Sequence, residues 1–190
     1  LGKIVLPPKI PGDQDDIPQN PANRRTTANY QMDLNQQKGT LRAYYASVSF
    51  IDTLVGKILS ALEATGQRDN TIVIFTSDHG YHLGEHDMWQ KVSIHEESAK
   101  VPLIICVPGK KPAICHSLTE LIDLYPTVSK LCGLKIPGNI QGKDISTMLD
   151  DPTFKVRKAA LSSGKGRLLR TEKWAYLDYG KTGELYDMEK

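Results

Sequence analysis

Residues 76–91, TSDHGYHLGEHDMWQK, place an Asp–His pair (Asp78, His79), a glycine, two further histidines (His82, His86) and a closing lysine (Lys91) in one short run. A carboxylate offers a hard oxygen donor and an imidazole a nitrogen donor, and side by side in a turn both can reach one ion. Gly80 allows the tight turn this needs. A divalent ion held there would polarise an ester oxygen or lower the pKa of a bound nucleophile. The compact ammonium of Lys91 can neutralise an anionic group on a substrate. His82, His86 and His95 could each hand a proton to a leaving group. Tyr81 and Trp89 could form the lip of a sugar site, and Tyr81 and His86 are the expected pocket lining.

Each of these residues also has a plainer use. Asp78 can close an Asx-turn after a strand, His79 can be a loop side chain, Lys91 a solvated charge and Trp89 a core anchor. Two donors are too few for an ion, since calcium takes about six to eight oxygens and zinc about three protein ligands. The remaining ligands must come from elsewhere. Asp13, Asp15 and Asp16 are the other acidic cluster, but they lack EF-hand spacing.

The elements that must position this run are legible around it. TIVIF, residues 71–75, is β-branched and aromatic without alternation, which predicts a strand buried on both faces and ending just before Ser77 and Asp78. In open α/β sheets ligands gather beyond the carboxyl ends of strands. Upstream, Tyr44, Val48, Ile51, Val55, Ile58 and Leu62 recur at helical spacing and predict a helix over 40–65, with Thr40 as cap and Gly66 at its end. Downstream, VPLIICV (101–107) predicts a second buried strand, with Cys106 as a small core hydrophobe. SLTELIDLYPTVSKLC (117–132) predicts a helix capped by Ser117 and bent or cut short at Pro126.

The short runs AALSS, GRLLRTE, KWAYLDY and ELYD predict an antiparallel sheet with turns near Lys165-Gly166 and Glu172-Lys173. The expected organisation is therefore a Pro-rich irregular arm (1–38), part of an α/β core carrying the 76–91 loop (39–150), and a small, truncated β-rich unit (151–190).

Composition narrows the function classes. With 190 residues, 39% hydrophobic and 24% charged, the chain is ordinary globular material. A net charge of +2 without a dense basic run argues against nucleic acid, and no stretch is expected to cross a membrane. The opening LGKIVLPPKIPG lacks the apolar segment of a signal peptide, and both ends read as cut. Cys106, Cys115 and Cys132 suit neither a zinc site nor a disulfide framework, although one disulfide could form. No N-x-[ST] sequon occurs, which tilts the source towards bacteria.

SDHGYHLGEHDMWQK followed by HEESAKVPLIICVPG resembles the second metal-binding segment of the sulfatases in the alkaline-phosphatase superfamily, most closely the iduronate-2-sulfatase branch. AYYASVSFIDTLVGKIL, SLTELIDLYPTVSKLCGLKIPGNIQGKDIS, RLLRTEKWAYLDY and ELYDMEK fit the same family in order, so the resemblance runs from about residue 40 to the end. It implies an alkaline-phosphatase-like α/β sheet sandwiched by helices, followed by a small C-terminal antiparallel unit. It implies that Asp78 and His79 bind a divalent metal, normally calcium, and that Lys91 contacts the sulfate of a sulfated sugar such as a glycosaminoglycan end. The family's nucleophile is a formylglycine made from Cys or Ser in a C-x-P-S-R type motif, whose hydrate attacks sulfur.

None of Cys106, Cys115 or Cys132 is followed by x-P-S-R, so the nucleophile and the paired aspartates of the first metal motif are expected in an N-terminal half of the same protein. The isolated chain is expected to be inactive and to aggregate without that half. His79, where many sulfatases carry Asn, suits zinc or manganese better than calcium. It leaves a phosphate- or phosphonate-ester enzyme as an alternative, and a non-catalytic sugar- or partner-binding module as another. Family habit implies the periplasm, the cell exterior or the lysosome.

Overall fold

In a computed structural model, residues 2–13, 15, 26–91 and 93–189 are described. The arm expected over 1–38 is irregular where described, apart from an isolated bridge at Thr26 and the first turns of a helix from Leu34. Residues 16–25, including Asp16, lie outside the described residues. The contacts divide the chain into two units, Leu1–Pro108 and Gly109–Lys190.

The first unit is built on α1 (Leu34–Ala64), which starts earlier than the apolar spacing predicts. Asp33 rather than Thr40 caps it: the Asp33 carboxylate accepts from the Gln36 amide, and the Gln36 side chain accepts from the Asp33 amide, closing a capping box. Thr40 instead donates its hydroxyl to the Gln36 carbonyl inside the helix. At the other end Gly66 takes φ +67°, with Gly66 N donating to Glu63 O and Gln67 N to Leu62 O. That pair of bonds is a Schellman closure, which glycine favours because a left-handed residue must sit there.

The apolar stripe of α1 exists but faces outward: Tyr44, Val48, Ile51 and Ile58 are exposed, Ile58 at 68%. By length and composition α1 is also long and apolar enough to cross a membrane, against the sequence expectation. Asp52 and Lys57 lie within it, and such charges cost roughly 2.5–3.5 kcal/mol each at a bilayer centre. That cost, with one polar and one apolar face, favours a helix that covers a protein surface.

The strand predicted over 71–75 forms as β1 (Val73–Thr76). Two short strands follow, β2 (His82–Leu83) and β3 (Trp89–Gln90), joined through a 3-10 turn at Glu85–Asp87. After α2 (Glu96–Ala99), β4 (Leu103–Cys106) returns antiparallel to β1 with Val73 opposite Cys106. Burial on both faces is overturned: Phe75 is 40% and Ile104 60% exposed, because among the described residues β1 and β4 pair only with each other. Cys106 is likewise exposed rather than a core residue, and all three cysteines are free, so the disulfide does not form. The buried apolar residues of this unit lie in and just after the loop instead: Met88, Trp89 and Ile94, with Leu41 of α1.

In the second unit the predicted 117–132 helix is shorter. A 3-10 turn, Leu121–Asp123, leads into α3 (Leu124–Leu131). Ser117 does not cap it and instead donates to the Phe154 carbonyl. Pro126 neither bends nor ends α3, since it sits in the first turn, where a missing N–H costs no helical bond. The tail is the predicted antiparallel sheet: β5 (Ala159–Ser163), β6 (Arg167–Thr171), β7 (Trp174–Asp178) and β8 (Gly183–Asp187) pair in sequence order. Both predicted turns fall between strands, and Leu168, Ala175 and Leu177 fill the sheet's buried face.

Candidate functional site

β1 ends at Thr76, and the chain turns through Ser77, Asp78 and His79 before β2. The turn is held locally. Asp78 Oδ1 accepts from the His79 amide at 3.0 Å, and Ser77 Oγ donates to the His79 carbonyl at 2.9 Å. Gly80 serves a different purpose from the one spacing suggests. Its φ is not left-handed; its amide donates to the Ser98 carbonyl at 2.8 Å, and a Cβ there would overlap the Glu97 carbonyl oxygen. Glycine is needed for the close approach of two backbones.

Asp78, His79 and Lys91 converge. Lys91 Nζ lies 3.1 Å from His79 Nε2, and that nitrogen lies 3.6 Å from Asp78 Oδ2. The tautomer follows from the partners. His79 Nδ1 is 2.9 Å from the Gly80 carbonyl, which can only accept, so Nδ1 carries the proton. An ammonium only donates, so Nε2 presents its lone pair to Lys91. A backbone carbonyl on one ring nitrogen is the usual way an imidazole is oriented to offer the other to a cation. Desolvation raises the Asp78 carboxyl, but His79, the amides of Asp78 and His79 and the Ser77 hydroxyl outweigh it and hold it below the ordinary carboxylate value.

This donor set fits a divalent ion in part. It offers an exposed carboxylate and an imidazole nitrogen whose lone pair faces the Lys91 ammonium in this structure, so Lys91 would have to yield that nitrogen to an ion. No cluster of three or more His, Cys, Asp or Glu suited to a metal occurs among the described residues. The ligand shell would need donors beyond them.

The remaining predicted residues are placed differently. Tyr81 packs its ring on Tyr44 of α1, with centroids 5.3 Å apart. Trp89 is a core anchor at 3% exposure, its Nε1 donating to Thr27 Oγ1 at 2.8 Å. His82 and His86 of the loop cluster with His95, with centroid separations of 5.0–6.4 Å. His82 is 1% exposed, with Nε2 2.7 Å from Ser93 Oγ; burial pushes its pKa down to about 4, Glu97 opposing and His95 and His86 adding to the shift. His86 Nδ1 is 3.1 Å from Asp13 Oδ2, and Nε2 3.7 Å from Glu97 Oε1. Asp13 and Lys9 were not legible as partners of this loop, because contacts spanning more than seventy residues leave no local spacing signal.

The arylsulfatase K of Rattus norvegicus is 34% identical over 160 residues, covering 76% of this chain and 28% of that protein. The iduronate 2-sulfatase of Homo sapiens is 36% identical over 127 residues, covering 53% and 23%. The chain thus spans about a quarter of the length of these curated relatives. A structure solved with its substrate D-glucosamine-2-N,6-O-disulfate superposes with a TM-score of 0.70 at 30% identity, covering 81% of this chain and 35% of that one. The phosphonate monoester hydrolase of Silicibacter pomeroyi shares the fold, with a TM-score of 0.81 at 24% identity over 99% of this chain and 45% of that one. The fold is accordingly that of the alkaline-phosphatase-like sulfatases, of which this chain holds a part. Residues 13–134, more than half of the chain, match the profile of the family described as Sulfatase, and the chain belongs to that family.

Proposed function

We propose that this chain is the metal- and oxyanion-holding part of a sulfuric-ester hydrolase that acts on a sulfated sugar, with iduronate-2-sulfate as the nearest substrate class. The observation that carries this reading is the meeting of Asp78, His79 and Lys91, with Lys91 Nζ 3.1 Å from His79 Nε2. Asp78 and His79 would hold a divalent ion, calcium or alternatively zinc or manganese. When bound, that ion supplies Lewis acidity towards the ester oxygen.

The chain's own residues do the rest. The Gly80 carbonyl keeps the proton on His79 Nδ1 and so keeps the Nε2 lone pair for a cation. Ser77 and the His79 amide fix the turn that presents the Asp78 carboxylate. The Lys91 ammonium, exposed at the end of the loop, contacts the anionic sulfate and stabilises charge as the ester bond breaks. The formylglycine nucleophile would come from another part of the same protein, which would also cover the outward apolar face of α1. The setting would be the periplasm, the cell exterior or the lysosome.

The test is made on the full-length enzyme. Metal content is measured by plasma mass spectrometry for the wild type, Asp78→Ala and His79→Ala, alongside turnover of matched sulfate and phosphate monoesters. The expected result is a stoichiometric divalent metal lost in both variants, with sulfate preferred. Full metal occupancy in both variants would refute the site. The imidazole at position 79 favours a second reading, a phosphate- or phosphonate-ester enzyme with a zinc or manganese site. Faster turnover of the phosphate ester would establish that one.

A further inference from the structure

The irregular arm and the loop meet through residues far apart in sequence. Lys9 Nζ donates to Asp87 Oδ1 at 2.7 Å, and Asp13 Oδ2 lies 3.1 Å from His86 Nδ1. The Thr27 amide donates to the Asp87 carbonyl at 3.0 Å, Thr26 forms a bridge with Met88, and the Pro7 ring stands against Gly84. These contacts add to the turn's own bonds from Asp87 N to Gly84 O and Met88 N to Glu85 O, and they fall on residues of uncommon backbone geometry. His86, Asp87 and Gln90 have φ of 54°, 54° and 72°. A residue with a side chain keeps such a backbone only where its surroundings over-determine it. Gln90, paired with His82 in β3, immediately precedes Lys91, so a change in the backbone of 86–90 would move the ammonium relative to His79.

We infer that Asp13 and Lys9 are positioning residues: by clamping His86 and Asp87 in left-handed backbone, the arm sets where the Lys91 ammonium stands and so governs affinity for the substrate's anionic group. This rests on the reading of Lys91 given above. Asp13 is the stronger clamp. Its side chain and that of His86 are 19% and 20% exposed, against 62% and 28% for Lys9 and Asp87. An exposed ion pair is screened and contributes little.

The experiment uses the full-length enzyme with Asp13→Asn, Lys9→Met, Asp13→Glu and, as benchmark, Lys91→Ala. KM and kcat for a sulfate ester are measured together with hydrogen exchange of residues 84–91. Asp13→Asn is expected to raise KM about tenfold, the scale of one lost backbone clamp, to change kcat less, and to speed exchange in the loop. Lys9→Met should move the same quantities less, and Asp13→Glu should recover most of the loss. If Lys91→Ala leaves KM unchanged, the reading of the site fails. If Lys91→Ala raises KM while Asp13→Asn alters neither KM nor loop exchange, the positioning role is overturned. Should Asp13→Asn fold poorly, Lys9→Met carries the same two readouts.

Discussion

Asp123→Ala should be among the most destabilising single changes in the second unit. Asp123 is fully buried, and its carboxylate is saturated: it accepts from the amides of Lys143 and Glu120 at 2.8 Å each and from Arg157 Nη2 at 2.7 Å, with Arg157 Nη1 on the second oxygen. The Thr127 hydroxyl, donating to the Asp123 carbonyl and accepting from the Ile145 amide, ties α3 into the same network. Alanine leaves Arg157, 5% exposed, with Glu120 at 3.1 Å as its remaining ion-pair partner, and removes the acceptor of two part-buried amides. Removing one member of a buried ion pair costs about 3–5 kcal/mol, a large part of the roughly 5–15 kcal/mol that holds a domain together.

The assay is urea unfolding of the full-length protein followed by circular dichroism, for Asp123→Ala, Arg157→Met and the pair together. The double variant should lose less than the sum, because removing both charges leaves neither unpaired. The pH dependence has a definite sign. Desolvation pushes the Asp123 carboxyl up, but the Arg157 fork and the Lys143 and Glu120 amides outweigh it and hold the group below its ordinary value. Its contribution is therefore complete above the unfolded pKa of about 3.9 and lost as pH falls below it. A loss under about 1 kcal/mol for Asp123→Ala, or strict additivity with Arg157→Met, would refute the reasoning.

Gly80→Ala should weaken metal retention and stability together, by about 1–3 kcal/mol of overpacking, since its Cβ overlaps the Glu97 carbonyl oxygen; unchanged melting and metal content would contradict this. His82, held near 4 against an ordinary 6.5, keeps fewer protons folded than unfolded between those values. Stability should fall as pH drops through that window, by about 3 kcal/mol at most, and urea midpoints of His82→Phe should show a shallower acid slope than the wild type. The isolated chain should self-associate through the exposed Val48, Ile51 and Ile58 of α1. Replacing all three by Ser should shift sedimentation towards monomer, and no shift would mean that another surface drives association.

The loop, in which Asp78, His79 and Lys91 come together, was readable because its information is local. A strand of β-branched residues ends, an Asp–His pair follows, and a Lys closes a polar run. The four tail strands were readable for the same reason, since alternation and turn residues recur every few positions. Helix ends were less so. Apolar spacing located the stripe of α1, but the cap belongs to whichever polar side chain reaches the free amides, and Asp33 with Gln36 does so before Thr40. Burial was misjudged at β1, β4 and Cys106 because an apolar run states what a residue prefers, while exposure depends on which elements cover it.

By itself the sequence determined which side chains offer a carboxylate oxygen, an imidazole nitrogen and an ammonium in one run, and roughly where the backbone carrying them changes direction. Only the tertiary structure decided that His79 presents Nε2, that Gly80 is required by a neighbouring carbonyl, and that an arm more than seventy residues upstream in sequence grips the left-handed residues before Lys91. Those facts depend on distances between segments brought together by folding, and no local pattern of residue types encodes a distance through space.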